Sequence, residues 1–223
     1  MVESWQSIPI FINNFNNLTR GFHQLIEWLH QAGHWNLYVI DNSSTWEPLL
    51  DYYQTLQATI IKCNQNLGCD AFWKLGISWE GKFILTDPDV VPDENCPKDL
   101  VRKMVEVSDR YHPAKVGPAL RIDNLPDHYR YKKDMLKSEG KYWQNRLDSE
   151  CWNALIDTTF ALYDNSSWGR FPPVHHIRLD FPYVAEHIPW YDNSSLPNEE
   201  RDFYKKHVIR GVSHSEWGNE ETI

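Results

Sequence analysis

The chain has 223 residues, of which 41% are hydrophobic and 14% aromatic, so it contains enough apolar material for a packed core. Its formal net charge is -9, and its densest basic cluster is the short run Arg130–Lys133; together these exclude general nucleic-acid binding. We therefore expect a globular protein that has no nucleic-acid partner.

The first ninety residues alternate between short apolar runs and helical patterns. The predicted strands are Ile8–Phe15, Leu37–Ile40, Ala58–Lys62 and Phe83–Leu85, and the predicted helices between them are Arg20–Gln31, Trp46–Gln54 and Asp70–Trp79. Such regular alternation is typical of a parallel sheet covered by helices. In open sheets of this kind, ligands bind outside the carboxyl ends of the strands.

Each of these four predicted strands ends in asparagine or aspartate. The residues concerned are Asn13 and Asn14, Asp41 and Asn42, Asn64 and Asn66, and Asp87 and Asp89. Because the carboxyl ends of parallel strands meet at one edge of the sheet, the pattern predicts that these side chains share a site. Each residue taken alone is equally compatible with a turn or a helix cap.

The fourth strand leads into the sequence T-D-P-D. Asp87 and Asp89 are one residue apart, and carboxylate oxygens at such a spacing are suitable ligands for a hard divalent cation. Pro88 between them fixes one backbone torsion and so stiffens their spacing. A simple turn is the alternative, because aspartate and proline are common turn residues.

The second half of the chain is less regular. A helix is predicted at Pro97–Tyr111 and a strand at Lys115–Ile122, whereas Tyr129–Glu150 predicts irregular structure or a short helix. Leu155–Tyr163 is strongly strand-like.

That last run places Asp157, with Thr158 and Thr159, inside an otherwise apolar segment. A buried aspartate without a function is uncommon, so Asp157 is a candidate functional carboxylate. If the protein uses a carboxylate as a general base, Glu150 and Asp180 are the alternatives to Asp157.

The cysteines and the first residues bear on the cellular compartment. The four cysteines have neither C-x-x-C spacing nor a paired histidine pattern, which argues against a zinc site and predicts free thiols. Free thiols suit a reducing, cytoplasmic environment. The first eleven residues contain Glu3 and only a brief apolar patch, so we expect neither a signal peptide nor a transmembrane segment.

Five sequence pieces occur in order along the chain: D-N-S-S after the second strand, N-L-G after the third, T-D-P-D after the fourth, then D-T-T-F-A-L-Y and P-Y-V-A-E-H-I-P-W-Y. In this combination the sequence, from about Ile8 to Tyr191, resembles small glycosyltransferases of the GT-A fold, of the family-2-like type found in bacteria and viruses. The resemblance implies an α/β fold with a mostly parallel central sheet flanked by helices and a smaller acceptor-side extension. It implies one GT-A domain over residues 1–223, with a nucleotide-binding half (1–95) and an acceptor-side half (96–223).

The resemblance also implies roles for the strand-end residues of the first half. Asp41 matches the acidic residue that contacts the nucleotide base, with Asn14 and Asn42 nearby. Asn66, in N-L-G, belongs to the same group of nucleotide-binding candidates. The sequence departs from the family pattern at Lys74, where many members have asparagine, and it lacks an evident E-D signature for a catalytic base.

A metal site is the second implication of the resemblance. Asp87 matches the first carboxylate of the D-x-D motif, which reaches the ribose or the metal, and Asp89 matches the second, which coordinates a divalent ion. His187 matches a histidine that completes the metal shell or touches the diphosphate; its alternative role is a structural histidine packed beside Trp190. Asp157 occupies the place of a carboxylate that faces the acceptor or the sugar.

Residues and resemblance together predict a metal-dependent glycosyltransferase of the hexosyltransferase class. The donor would be a nucleoside-diphosphate sugar, with a UDP-sugar expected, and the acceptor a saccharide. The metal would be Mn²⁺ or Mg²⁺, and a histidine ligand favours Mn²⁺. Arg178 is a candidate clamp for the diphosphate, with a surface ion pair as its alternative. Asp157 is the leading candidate for the base.

Two other functions stay open at this stage. A sugar-phosphate nucleotidyltransferase uses a similar nucleotide-binding sheet with metal carboxylates, although no glycine-rich phosphate loop follows the first strand. The aromatic residues are also compatible with a non-catalytic carbohydrate-binding module.

Overall fold

A computed structural model of the protein describes residues 4–157, 160–164 and 175–208. Within these residues, nine strands form one sheet in the order β3-β2-β1-β4-β8-β6-β9-β5, with β7 paired to β9. The strands are β1 Ile10–Asn14, β2 Leu37–Asp41, β3 Thr59–Lys62, β4 Phe83–Thr86, β5 Val90–Pro92, β6 Lys115–Leu120, β7 Cys151–Asn153, β8 Ala161–Tyr163 and β9 His176–His187.

Six helices accompany the sheet in the described part of the chain. They are α1 Phe22–Gln31, α2 Glu47–Thr55, α3 Ala71–Lys74, α4 Leu100–Tyr111, α5 Lys132–Gly140 and α6 Glu199–His207, and short 3₁₀ turns occur at Trp5–Ser7, Gly68–Asp70, Lys141–Trp143 and Ile188–Trp190. None of the helices in these residues is both long enough and apolar enough to cross a membrane. The four cysteines are free, as predicted.

Strand direction agrees with the predicted parallel sheet over β1–β4 and is mixed in the second half of the chain. The strands β1, β2, β3 and β4 pair in parallel, and β8 runs antiparallel to both β4 and β6. Because β9 pairs in parallel with β6, six strands point one way, whereas β5, β7 and β8 point the other way. The predicted α/β fold class is confirmed.

Two predicted elements differ in extent, and a third region adopts one of its two predicted forms. The helix predicted at Asp70–Trp79 has a single α-helical turn, α3, because Gly76 follows it with a φ of 68° that an ongoing helix does not allow. The strand predicted at Leu155–Tyr163 is shorter, since only β8 is extended and paired, and Thr158 and Thr159 lie outside the described residues. The irregular region after Tyr129 contains the short helix α5.

The apolar core lies on both faces of the sheet. On one face, α1 and α4 bury residues spaced three and four apart, such as Leu25 and Leu29 of α1. On the other face, aromatic rings stack in a row, with centroids 5.1 Å apart for Phe72 and Phe83 and 5.0 Å apart for Phe83 and Tyr163. The sheet between these two layers is therefore a rigid support for the residues at its edge.

Candidate functional site

The carboxyl ends of the first strands meet at one edge of the sheet. Asn14 at the end of β1 lies opposite Asp41 at the end of β2, and Asp41 lies opposite Lys62 at the end of β3. On the other side of β1, Ile12 lies opposite Thr86, the last residue of β4. The polar residues that end these strands are therefore neighbours.

Side-chain amides join the loops that follow β1, β2 and β3. The Nδ2 atom of Asn42 donates to Oδ1 of Asn13 at 2.5 Å, and Oδ1 of Asn42 accepts from the backbone N–H of Leu67 at 3.1 Å. Asn13 in turn donates to the carbonyl of Gly68 at 3.2 Å, and Asn66 accepts from the N–H of Gly68 at 2.8 Å. Asn42 and Asn66 thus shape these loops directly.

Asp41 and Asn14 form a buried network with Tyr53. Asn14 donates to the phenol oxygen of Tyr53 at 3.0 Å, and that phenol donates to Oδ1 of Asp41 at 3.2 Å. Burial, and then the charge of Asp41, raise the pKa of Tyr53, so the phenol stays neutral and remains a donor. Because Asp41 and Asn14 are 3% and 0% exposed, both lie beneath the surface and are bound by protein groups.

Sequence reasoning did not identify Tyr53. A usable signal was its position four residues after Leu49 in a predicted helix, which places both on the buried side. A phenol on that side needs a polar partner, and the end of β2 provides one.

Pairing of β5 with β9 brings Asp89 to His187. Val90, the first residue of β5, lies opposite His187, the last residue of β9, and the N–H of Ile188 donates to the carbonyl of Asp89 at 2.9 Å. As a result, Oδ1 of Asp89 lies 3.8 Å from Nε2 of His187, and the two side chains are 14% and 23% exposed. These are the two predicted metal ligands that the structure places side by side.

The start of α1 packs directly against the turn that carries Asp89. Gly21 has a φ of 132°, and a Cβ atom built on it would lie 2.6 Å from Cα of Asp89 and 3.0 Å from the carbonyl oxygen of Pro88. Only glycine fits this contact without a shift of backbone. The T-D-P-D turn is thus held from outside by the contact with Gly21 and by the N–H of Ile188, and within itself by Thr86, whose hydroxyl donates to the carbonyl of Asp87 at 2.9 Å.

Arg20 adds a buried positive charge next to this turn. It is 5% exposed, and its guanidinium carbon lies 4.7 Å from the ring centre of Tyr204 in α6. Burial lowers the pKa of Arg20 to about 10, and the nearby carboxylate of Asp89 is the strongest of the charges that raise it. At neutral pH the side chain therefore remains cationic. The sequence analysis missed Arg20, which shows no signal except its position just before α1.

Helix α6 covers the loop after β1. Glu200 accepts from the N–H groups of Leu18 and Thr19 at 2.8 and 2.9 Å and from the hydroxyl of Thr19 at 2.6 Å. Asn198 caps α6 by accepting from the N–H of Arg201 at 2.8 Å. The C-terminal helix of the described chain is therefore anchored beside Arg20.

Arg178 does not lie with the Asp89–His187 pair. On β6, the partner of Arg178 is Gly117 and the partner of Ala185 is Leu120, three residues further along the strand. His187 follows Ala185 by two more residues on β9. This corresponds to roughly 16 Å of strand. Arg178 is 3% exposed and pairs with Glu139 at 2.8 Å, so it is neither at the predicted diphosphate position nor in the surface ion pair that was the alternative.

Asp157 is exposed, in contrast to the predicted buried position within a strand. The chain leaves the sheet after β7 and rejoins it at β8, so Asp157 belongs to an irregular segment. The first residue of β8, Ala161, lies opposite Leu85. This segment therefore leads to the edge at which Asp87 follows β4.

The two alternative bases are engaged elsewhere. Glu150 binds the ammonium of Lys103 at 2.5 Å, and this hydrogen bond lowers the pKa of Glu150, whereas a general base at neutral pH needs a raised one. Asp180 binds Arg146 at 2.5 Å. Neither of these two carboxylates is therefore better suited than Asp157, whose role as the base stays a prediction.

Asp89 and His187 lie close enough together to share a divalent cation. Two ligand atoms that are each about 2.1 Å from one ion are at most about 4.2 Å apart, and the observed 3.8 Å satisfies this limit. Within the ranges that the structure describes, no group of three His, Cys, Asp or Glu side chains is arranged to hold a metal. A bound ion would therefore need oxygen atoms from a ligand or water in addition.

Sequence comparison gives no assignment, since no family model and no curated protein matches the chain. Among solved structures, GalNAc-T7 with UDP, GalNAc and Mn²⁺ has a TM-score of 0.51 at 10% identity, over 83% of this chain and 44% of that one. TarS 1–349 from S. aureus has a TM-score of 0.44 at 12% identity, over 70% and 46%. HddC from Yersinia pseudotuberculosis, complexed with GMP-PN, has a TM-score of 0.42 at 13% identity, over 79% and 80%.

This chain thus spans less than half of the GalNAc-T7 and TarS structures. At these identities the likeness concerns the fold alone. The strand order of the sheet and the similarity to the GalNAc-T7 structure indicate the same architecture. The chain therefore has the GT-A fold predicted from its sequence.

Proposed function

We propose that the protein is a metal-dependent glycosyltransferase of the hexosyltransferase class. It moves a sugar from a nucleoside-diphosphate sugar, with a UDP-sugar as the first donor to test, to a saccharide acceptor. The observation that carries this proposal is the Asp89–His187 pair, 3.8 Å apart at the edge where β1, β2 and β4 end. The Mn²⁺, UDP and GalNAc in the GalNAc-T7 structure supply the chemical analogy.

In this proposal residues 1–95 bind the nucleotide and residues 96–223 bind the acceptor. The nucleoside lies on the loops that Asn42 and Asn66 shape, and Asp87 reaches the ribose. Asp41 and Asn14 support this surface from below, because their side chains are held by Tyr53. Recognition of the base then falls to the loop backbone around Asn42, and Asp41 acts through that backbone rather than by touching the base.

The metal and Arg20 both act on the diphosphate. Asp89 and His187, with Asp87 as a further candidate ligand, would hold the divalent cation, which when bound would supply several kcal/mol of charge neutralisation at the leaving diphosphate. Arg20 adds a fixed positive charge behind Asp89 in a poorly solvated position. The leaving group is thus balanced by two cationic partners.

Asp157 serves the acceptor. The acceptor oxygen forms a bond to the anomeric carbon while its proton passes to the carboxylate of Asp157. The bond from the anomeric carbon to the diphosphate oxygen breaks, and its electron pair leaves with the diphosphate. The exposure of Asp157 allows an acceptor hydroxyl to reach it.

Slow donor hydrolysis tests this proposal without knowledge of the acceptor. The wild-type protein is incubated with UDP-, GDP- and dTDP-sugars in Mn²⁺, Mg²⁺ or EDTA, and release of nucleoside diphosphate is measured. We expect release with one donor class in Mn²⁺, none in EDTA, and a loss in Asp89→Asn. The exposed Asp51→Asn is the matched control and should behave like the wild type. Equal release in EDTA would reject the metal role.

The same preparation separates the alternative functions. Formation of pyrophosphate from a nucleoside triphosphate and a sugar 1-phosphate would identify a nucleotidyltransferase. Calorimetric binding of sugars that is unaffected by UDP and Mn²⁺, without donor hydrolysis, would identify a carbohydrate-binding module.

A further inference from the structure

The segment of residues 154–157 is held by side chains rather than by strand pairing alone. The N–H of Ala154 donates to the carbonyl of His176 at 3.1 Å, and the N–H of Ile156 donates to Nδ1 of the same histidine at 3.0 Å. The carbonyl of Leu155 accepts from Nε of Arg178 at 2.7 Å. Three backbone polar groups of this short stretch therefore have defined partners on β9.

The next carbonyls are bound by a lysine. The ammonium of Lys115 donates to the carbonyl oxygens of Ile156 at 3.2 Å and Asp157 at 3.0 Å. Lys115 lies opposite His176 in the pairing of β6 with β9, and Gly117 lies opposite Arg178. Lys115, His176 and Arg178, which we call the backbone clamp, thus occupy adjacent positions on two strands.

All three members of the backbone clamp are buried, at 0% exposure for Lys115, 2% for His176 and 3% for Arg178. A buried cation is costly unless it is well compensated. The ammonium of Lys115 lies 5.0 Å from the ring centre of Tyr163, in addition to its two carbonyls, and Arg178 pairs with Glu139. A loop that only had to be held in place would not need buried cations, because apolar contacts can attach a loop to the sheet without the cost of burying charge.

The segment is also fixed at its far end and at its centre. A Cβ atom on Gly117 would lie 2.5 Å from the carbonyl oxygen of Phe160, so the chain runs directly against the backbone of β6. Ile156 is 1% exposed and packs in the core. Its neighbour Asp157 is exposed, so a pinned backbone presents an accessible carboxylate.

We propose that the backbone clamp positions the carboxylate of Asp157 for proton transfer from the acceptor, an inference that rests on the proposed function. The members of the clamp touch neither donor nor acceptor and act only through the backbone of residues 154–157. Arg178, predicted from the sequence to bind the diphosphate, has this positioning role instead.

The test combines local hydrogen exchange with donor hydrolysis, in which water takes the place of the acceptor. In Lys115→Met, we expect the amides of residues 154–157 to exchange about tenfold faster. The kcat for hydrolysis should fall about tenfold or more, with the KM for the donor changed less than about twofold. Lys115→Arg, which keeps a cationic donor, should recover part of kcat.

Lys103→Met is the matched control, because Lys103 is also a buried lysine but pairs with Glu150 on α4's side of the sheet. It should leave exchange at residues 154–157 and kcat unchanged. If Lys115→Met does not fold, Arg178→Lys replaces it, since this change keeps the charge but removes the planar fork that serves Leu155 and Glu139 together.

Each outcome is decisive. Unchanged exchange at residues 154–157 in the folded variant would overturn the clamp itself. If Lys115→Met shows faster exchange but has the same kcat as the Lys103→Met control, the positioning role is overturned and only a structural role remains. If the wild type hydrolyses no donor, the proposed function fails and the positioning role fails with it, whereas the exchange data still report on the clamp.

Discussion

Replacement of Gly21 by alanine is the most direct test of how the proposed metal site is built. Two separate penalties apply at this position. Its φ of 132° is unfavourable for any residue with a side chain, and the new Cβ atom would lie 2.6 Å from Cα of Asp89. Because the contacted atoms belong to backbone, no side-chain rotation relieves the clash, and the T-D-P-D turn must move.

The expected magnitude follows from these two terms. A strained backbone conformation costs roughly 1 to 3 kcal/mol, and overpacking costs about the same again. We therefore expect Gly21→Ala to lower the free energy of unfolding by about 2 to 6 kcal/mol. Gly76 has a φ of 68° and nothing within 4 Å of its Cβ position, so Gly76→Ala carries the first penalty only.

The assay pairs urea unfolding with Mn²⁺ binding measured by electron paramagnetic resonance. Gly21→Ala should be less stable than Gly76→Ala and should bind Mn²⁺ more weakly, because a displaced Asp89 separates from His187. Gly76→Ala should keep the Mn²⁺ affinity of the wild type. Equal destabilisation of the two variants, with equal Mn²⁺ affinity, would refute the argument that Gly21 sets the position of Asp89.

Three further predictions concern the supports around the site and one buried histidine. Tyr53→Phe should lower the free energy of unfolding by about 1 to 3 kcal/mol, because it removes the donor to Oδ1 of the buried Asp41; urea unfolding of Tyr52→Phe is the control. Glu200→Gln should cost about 1 to 3 kcal/mol by weakening three hydrogen bonds to the loop after β1, whereas the exposed Glu199→Gln should be neutral in the same assay. Burial lowers the pKa of His34 to about 4 in the folded protein, whereas the same histidine in the unfolded chain has a pKa near 6.5. Between these two pH values only the unfolded chain binds the proton, so the free energy of unfolding should fall as the pH drops from 6.5 towards 4. This loss, about 3 kcal/mol at most, should be missing from the pH dependence of unfolding of His34→Leu.

The parts of the fold that depend on local patterns were predictable. The apolar spacing of α1 and the alternation of strands and helices were enough to predict β1–β4, and the polar strand ends gave their shared edge. The sequence does not predict the length of α3, because apolar residues continue the helical pattern on both sides of Gly76.

Contacts between distant parts of the chain were harder to predict. Asp89 and His187 are almost a hundred residues apart, and only the pairing of β5 with β9 makes them neighbours. Their sequence spacing carries no trace of this pairing, so the histidine was connected to the aspartates through resemblance alone. The same applies to Glu200, which binds a loop some 180 residues earlier in the chain.

The two arginines show why charge in a sequence does not reveal its role. A guanidinium matches a diphosphate as well as it matches a carboxylate or a carbonyl, so the residue type left the role of Arg178 open. Position along the strand distinguishes the roles. Arg178 lies near the start of β9, where it meets the backbone of residues 154–157, whereas the proposed metal ligand His187 lies at the end of β9. Arg20 has no strand or motif to mark it, yet the glycine that follows it lets α1 approach Asp89 closely and so brings the cation to the proposed diphosphate site. If this reasoning is correct, Arg20→Met should weaken binding of a nucleoside diphosphate far more than Arg178→Met does, and calorimetric titrations that give the reverse order would contradict it.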